Sequence, residues 1–392
     1  MNLSEFSNSQ KLLEILKAQI NRSQDQRITF AQYMATVLYE PNWGYYSSGV
    51  VGIGSQGDFF TSSSLGKDFG ELLAIQLAEM WQRLGCPQRF QVVEMGAGTG
   101  ELAQDILSFI YDHQSQALIE ALEYAIVERS PLLIKQQQER LESFTDWGLT
   151  WQNLADIPLN SIEGCIISNE LLDAFPVHLI TKQDNQLQEV YLTLEDDRLT
   201  ETVAELSTAK LEQYFKLIEI DLLQSEYSQG YRSEVNLEAL DWIKAIANRL
   251  RRGYLLTIDY GYTAQKYYRP SRSQGTLKCY YQHRHHNNPY VNLGYQDLTA
   301  HVDFTAIQRQ GELANLQTIG FTQQGLFLMA LGLGDRLNEL SSGKFSFSEI
   351  LKRRSALHQL IDPTSLGGFG VLIQGKNLTA SEQSLRGLTV PN

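Results

Sequence analysis

Residues 92 to 102 read VVEMGAGTGEL. An apolar run leads into Glu94, and Gly96, Gly98 and Gly100 then stand at alternate positions before a helical pattern begins. Glycines there let a backbone turn tightly and come within contact distance of a ligand, while the N–H groups of the following helix start favour electron-rich atoms. Two nucleotide readings compete for this segment. The dinucleotide fingerprint G-x-G-x-x-G asks for its third glycine where Glu101 stands, and an anionic side chain beside a pyrophosphate is repulsive. A phosphate-cradling loop asks for a following Gly-Lys-Ser/Thr, which is absent. A ligand without phosphate fits better. A loose glycine turn in a generic α/β protein is the bland alternative.

One βαβ unit further on, YAIVE ends on Glu128, where a carboxylate can accept hydrogen bonds from both ribose hydroxyls of an adenosine. A third run, IISNELLDAFP, places Asn169, Glu170 and Asp173 just beyond a strand, with the two carboxylates predicted to share one face of a helical turn. The same residues also suit a polar helix start. Near the C-terminal third, Asp297 and His301 stand one helical turn apart, so that a carboxylate could orient an imidazole, and Asp303 follows. A satisfied structural pair is the competing reading. His283, His285 and His286 invite a metal, but no carboxylate or cysteine stands at a recognised ligand spacing, so no metal is expected. Gly52, Gly54 and Gly57 match the dinucleotide pattern by letter, yet they follow no predicted strand; their Gly-rich loop is kept as a candidate lid.

The elements that must position these residues alternate in period. Leu12, Leu13, Leu16 and Ile20 predict a first helix, and Thr29 caps a second that ends before Pro41. A broad apolar stripe from Leu65 to Leu84 predicts a third. From Phe90 onward, buried strands are expected at 90–95, 124–128, 149–152, 164–168, 254–259, near 321–329 and at 369–375, with helices such as 101–112 and 131–141 between them. The interval 177–235 alternates apolar and polar residues like a small antiparallel meander followed by a helix. The expected fold is α/β: a mostly parallel, doubly wound sheet with an N-terminal helical extension and an inserted α+β subdomain. The expected boundaries are 1–88 for the extension and lid loop, 89–176 for the first part of the core, 177–235 for the insertion, 236–380 for the second part with a substrate-side loop at 263–304, and 381–392 for a tail.

Composition sets outer limits. The 392 residues carry 32 Lys+Arg against 45 Asp+Glu, a net charge of −13, which supplies no broad cationic field for nucleic acid. With 43% hydrophobic and 20% charged residues the chain can bury a sizeable core. No apolar run approaches the ~18 residues of a membrane span, and neither a signal core nor a transit pattern opens the sequence. Three cysteines at no redox spacing fit a reducing compartment, and a cytoplasmic location is expected.

With the segments placed, the chain resembles the MidA family of S-adenosylmethionine-dependent methyltransferases, relatives of a mitochondrial complex I assembly-factor arginine methyltransferase. The resemblance is carried by GDFFTSSSLGKDFGELL (57–73), VVEMGAGTGEL (92–102), IVERSPLL (126–133), SNELLDAFPVH (168–178), IDYGY (258–262) and GTLKCYYQHRHHNNPYVNLGYQDLTAHVDF (275–304). E-x-G-x-G-x-G also resembles motif I of class I methyltransferases, whose Rossmann-like core is therefore implied. Departures are Ser63 and Ser64 where Pro-Glu is usual, Ala97 and Thr99 in the glycine loop, and Lys278 and Asn288 for Arg and Asp.

The resemblance implies S-adenosyl-L-methionine as cofactor, with S-adenosyl-L-homocysteine as product. It places the methionine end at Gly96, Ala97, Gly98 and Gly100, polar groups at Glu94 and Asn169, ribose at Glu128 beside Arg129, and adenine beside Asn153 or Leu154. Glu170 and Asp173 are the candidates for a guanidinium clamp, with Asp58, His301 and Asp303 as secondary candidates and Thr61, His283 and Asp297, like Asp58, on the substrate side. The implied activity is symmetric ω-N dimethylation of a protein arginine, on a quinone-site core subunit of an NADH dehydrogenase-type complex during assembly. A small-molecule methyltransferase and a cofactor-binding assembly chaperone without catalysis are the alternatives, and Glu101 makes a dehydrogenase a distant one.

Overall fold

Runs of Val, Ile, Leu and Ala with little polar interruption have no solvent-facing side, so they become the interior strands of a sheet covered on both faces. A computed structural model describes residues 3–49, 61–282 and 284–390. Among them seven strands, numbered here β1 to β7 in chain order, form the large sheet: β1 (Phe90–Met95), β2 (Leu122–Val127), β3 (Leu149–Gln152), β4 (Ile162–Asn169), β5 (Leu250–Asp259), β6 (Gln317–Gln323) and β7 (Gly370–Lys376). Their spatial order is β3-β2-β1-β4-β5-β7-β6. The pairs β1–β2, β1–β4, β2–β3 and β4–β5 are parallel, while β7 runs antiparallel to both β5 and β6. The mostly parallel, doubly wound expectation therefore holds. Strand order reverses direction at β1, between β2 and β4, and open α/β sheets bind ligands beyond the carboxyl ends of strands at such a point.

The chain divides into two compact units. One comprises the described parts of Phe60–Leu171, Ile243–Tyr260 and Gly311–Asn392, and holds the large sheet. The helix Asp68–Arg83 belongs to it, and so does the C-terminal segment, where the Gly387 N–H donates to Gln76 Oε1 (3.0 Å) and the Arg386 N–H to Glu79 Oε2 (2.8 Å). Arg353 ties a late helix, Phe347–Ile361, to Asp68 with bonds of 2.7 and 2.8 Å. The crossover from β3 to β4 carries only a 3-10 turn, Leu154–Asp156. A cavity of about 370 Å³ lies there, lined among others by Gln91, Glu123, Thr150 and Ile157.

The other unit gathers Met1–Phe59, Leu172–Trp242 and Gly261–Gln310. Helix Leu3–Arg22 buries Leu12, Leu16 and Ile20 at helical spacing, and Thr29 closes a capping box with Gln32 at the start of helix Phe30–Tyr39. The expected meander is present as strands His178–Gln183, Gln186–Glu195 and Arg198–Ala204, followed by helix Lys210–Ile218. Its sheet also recruits Ile28–Thr29 and Arg232–Val235, so the 1–88 extension divides between the two units, and the unit that contains 177–235 opens earlier, at Leu172.

Two element expectations are corrected. Residues 321–329 are a strand only to Gln323; the continuous apolar run beyond it folds as helix Gln324–Leu331, which is apolar on all sides and carries no period that separates strand from helix. Asp297–Thr299 is a strand of the three-stranded sheet with Lys278–Tyr281 and Arg284–His286, and His301 follows on non-helical backbone, so Asp297 and His301 are not one helical turn apart. No described helix is long and apolar enough to cross a membrane.

Candidate active site

In the sheet-bearing unit, the glycine loop leaves the tip of β1 through three left-handed residues, Gly96 (φ 69°), Gly98 (φ 54°) and Gly100 (φ 83°), the last capping helix Glu101–His113. The loop is anchored at both ends. The Gly96 N–H donates to Val127 O at 2.9 Å, and the Gly100 N–H to Ala97 O at 2.8 Å. A Cβ on Gly96 comes to 2.7 Å from Leu171 Cδ1, whereas one on Gly98 meets nothing within 4 Å. The Leu171 side chain packed against Gly96 and the open space beside Gly98 make a cradle, and a side chain at 98 fills it.

Glu94 is 3% exposed and accepts a 2.7 Å hydrogen bond from the Tyr124 hydroxyl. Burial, reinforced by the charge of Glu128 and opposed by the Tyr124 bond, pushes its pKa from 4.5 up to about 7. Glu128 follows β2; its Oε1 accepts the N–H groups of Arg129 (2.7 Å) and Ser130 (2.9 Å), and the Gln137 amide reaches its Oε2 at 3.4 Å. Burial raises its pKa, against the pull of those bonds. Arg129 itself is exposed. Asn153 precedes the short turn after β3 and bonds Asp156 through Nδ2 (2.9 Å), and the Leu154 carbonyl accepts from Arg249 Nε (2.7 Å).

At the tip of β4 the chain turns through Glu170 in a left-handed conformation (φ 51°). Its Oε1 accepts the Ser62 N–H at 2.9 Å and Asn169 Nδ2 at 3.3 Å. Thr61 heads the turn that contains Ser62, through a capping box with Ser64. Asp259 at the end of β5 accepts the N–H groups of Leu171 (3.2 Å) and Tyr260 (2.9 Å), which holds the β4 and β5 tips together. The helical face predicted for Glu170 and Asp173 does not form: Asp173 lies in a separate 3-10 turn, Leu172–Ala174, and belongs to the other unit.

In that unit Asp173 and Asp297 are each buried, 6% exposed. Tyr46 donates to Asp297 Oδ1 (2.9 Å), Tyr39 donates to Ala174 O (2.8 Å), and the two rings stack with centroids 5.5 Å apart. Both carboxylates raise the hydroxyl pKa of Tyr46 and of Tyr280, though burial is the larger cause in each. Asp303 caps helix Phe304–Leu313, accepting the Thr305 and Ala306 N–H groups at 3.0 and 3.3 Å and the Tyr214 hydroxyl at 3.0 Å; burial brings its pKa to about 6. His301 stacks on Tyr262 at 5.1 Å, and burial, with the charges of Arg272 and Lys278, lowers its pKa to about 4, so it is neutral at pH 7. Asp58 and His283, like Gly52, Gly54 and Gly57, lie outside the described residues. Among the described residues no group of three His, Cys, Asp or Glu side chains is placed to hold a metal ion.

Sequence reasoning missed Tyr124, Gln137, Asp259 and Tyr46. Each acts through a partner far along the chain, and no local spacing announces it.

A family model described as "Putative S-adenosyl-L-methionine-dependent methyltransferase" matches residues 72–322. This chain belongs to that methyltransferase family. It is 30% identical over 372 residues to the protein arginine methyltransferase NDUFAF7 homolog, mitochondrial, of Drosophila melanogaster, covering 87% of this chain and 79% of that protein. It is 28% identical over 367 residues to the Homo sapiens protein arginine methyltransferase NDUFAF7, mitochondrial, covering 87% and 78%. A Burkholderia thailandensis crystal structure bound to S-adenosyl-homocysteine superposes with a TM-score of 0.86 at 31% identity, covering 99% of this chain and 96% of that one. The cofactor of this methyltransferase is S-adenosyl-L-methionine, and the open side of Gly98 leaves room for a ligand against the backbone.

Gly98→Val is expected to abolish S-adenosyl-homocysteine binding in calorimetry while cooperative unfolding persists, with a stability loss of about 1 kcal/mol from the positive φ. Undiminished affinity would refute the cradle. A second test follows from Glu94. Folding raises its pKa from 4.5 to about 7, so the carboxyl favours the folded state below about pH 4.5 and loses that contribution as pH rises through about 7. Glu94→Gln, neutral throughout, is expected to show a smaller fall in melting temperature than the native protein between about pH 5 and pH 7.5. Parallel curves would show that Glu94 is not the group titrating.

Proposed function

We propose that this methyltransferase acts on the guanidinium of a protein arginine, by symmetric ω-N dimethylation, and that the protein is a core subunit of an NADH dehydrogenase-type complex met during assembly. The observation that carries the arginine reading is the buried carboxylate pair Asp173 and Asp297 among Tyr39, Tyr46 and Tyr280. A guanidinium is always charged, pairs with carboxylates through a planar fork of N–H donors, and is attracted to aromatic faces. Two anions and three phenol rings in one place suit that ion better than a neutral metabolite. The NDUFAF7 relatives, named as protein arginine methyltransferases, support the substrate class.

Bound S-adenosyl-L-methionine supplies a methyl group made electrophilic by its sulfonium. In this reading Gly96 to Gly100 hold its methionine end, and Glu128 accepts the ribose hydroxyls. The remaining task of the chain is positional, to hold one guanidinium nitrogen ~3–3.5 Å from the carbon it attacks. Asp173 and Asp297 would hold the cation, and one of them would take up the single proton released as the N–C bond forms and the S–C bond breaks to leave S-adenosyl-homocysteine. Glu170, bonded to the Ser62 N–H, fixes the turn beside the cofactor.

Asp297→Asn and Asp173→Asn are expected to keep S-adenosyl-homocysteine affinity within about three-fold while methyl transfer falls at least ~10-fold. Radiolabelled cofactor incubated with lysate of a deletion strain is expected to label one protein, on arginine, by mass spectrometry. Label on a small molecule, or full turnover in both variants, would overturn the arginine reading.

A further inference from the structure

We infer that Gln137 is a positioning residue for the cofactor, a single amide that fixes the glycine loop, the acid after β2 and the β3 strand relative to one another. The inference rests on the reading of Glu128 as the ribose acceptor.

Gln137 lies in helix Pro131–Arg140 and is fully buried, 0% exposed, an uncommon place for a glutamine side chain. Its burial is tolerated because the amide is bonded on both sides. Oε1 accepts the indole N–H of Trp151 at 3.0 Å, and Nε2 donates to Gly98 O at 2.8 Å and toward Glu128 Oε2 at 3.4 Å. An indole nitrogen donates only, so the amide oxygen must face Trp151, and both amide hydrogens are then directed at the Gly98 carbonyl and the Glu128 carboxylate. The orientation is dictated by chemistry and has no alternative flip.

The helix that carries this amide is itself well set. Ser130 caps it, accepting the Leu133 N–H at 3.4 Å, and the first helical residue is Pro131. The Ser130 N–H also donates to Glu128, so the acid is gripped by the helix start and again by Gln137 further along the same helix. The Gln137 side chain also backs the loop: a Cβ built on Gly100 comes to 3.5 Å from Gln137 Cγ. Three successive strand ends, those of β1, β2 and β3, are therefore tied by one side chain that need not touch the ligand. Glu128 and the Gly98 carbonyl cannot drift apart without breaking a bond to it. The donor aimed at Glu128 also favours the ionised carboxylate, the form that accepts two hydroxyls.

The test uses the full-length protein with S-adenosyl-homocysteine and its 2′-deoxyribose analogue as calorimetric probes. Glu128→Gln is expected to weaken S-adenosyl-homocysteine binding ~10-fold or more, which tests the underlying reading by itself. Gln137→Leu is expected to weaken it ~10-fold, to lose most of the native preference over the deoxy analogue, and to lower kcat at saturating cofactor far less than it raises KM. The double variant is expected to bind no more than ~2-fold more weakly than Glu128→Gln, because Gln137 acts through that acid. Trp151→Phe, which frees the amide oxygen without emptying the site, is expected to shift affinity in the same direction by ~3-fold, and it decides the matter if Gln137→Leu gives no cooperative melt. A weakened Glu128→Gln beside an unaltered Gln137→Leu or Trp151→Phe overturns the role of Gln137 alone. An unaltered Glu128→Gln overturns the ribose reading as well.

Discussion

The structure depends on keeping one patch of backbone both immobile and uncovered. Between β1 and its following helix the chain takes three left-handed residues, and the space beside Gly98 is open while Gly96 is packed against Leu171. A backbone open on one side has no partner atoms there to hold it, so it must be secured from behind. Here the securing is done with hydrogen bonds: the Gly96 N–H to Val127, the Gln137 amide to the Gly98 carbonyl, and the Glu128 carboxylate to two successive N–H groups. A preorganised cradle loses little freedom when it binds, which is what favours affinity.

The same logic recurs at the neighbouring tips. Glu170 adopts a left-handed conformation that L residues avoid, and such strain persists where surroundings over-determine it. The Glu170 N–H bonds the Ile258 carbonyl, its carboxylate takes the Ser62 N–H, and Asp259 fixes the residue after it. Carboxylates that sequence spacing offers as reactive groups are thus in part structural fasteners. Asp303 is another, its oxygens taken up by the start of its own helix and by Tyr214. A carboxylate near a binding surface has two uses for its charge, and the number of N–H donors already directed at it separates them.

Much of the sheet-bearing unit was legible because its signals are local. Glycines at alternate positions after an apolar run, and an acid after the next strand, are properties of short segments, and the strands from Phe90 to Asp259 follow from unbroken apolar runs. What stayed illegible was long-range. Gln137 reads as one of three consecutive glutamines on a polar helix, and only the arrival of Trp151 and Gly98 around it makes it a buried junction. The spacing of Asp297 and His301 suggested a helical turn because spacing alone carries no record of Lys278–Tyr281, the strand that pairs with Asp297–Thr299 and imposes extended backbone. The boundary at Leu171–Leu172 was equally hidden, since a unit assembled from three separate stretches leaves no composition change where the chain crosses.

In the proposed reading, cofactor and acceptor are assigned to different residues of the chain, which bears on specificity. The glycine loop is held by backbone bonds and by the Gln137 amide, none of which bears on the choice of methyl acceptor. The carboxylates that the proposed reading assigns to the acceptor lie in the other unit, where Asp173 stands three residues beyond Glu170 along the chain and Asp297 follows within the 263–304 segment. His301 in the same segment is held neutral at pH 7 by burial and by the charges of Arg272 and Lys278. The departures from the family pattern at Lys278 and Asn288 fall in this same stretch. In the proposed reading, substitution at these positions changes which acceptor is taken without altering the groups that hold the cofactor, because the two tasks fall to different side chains.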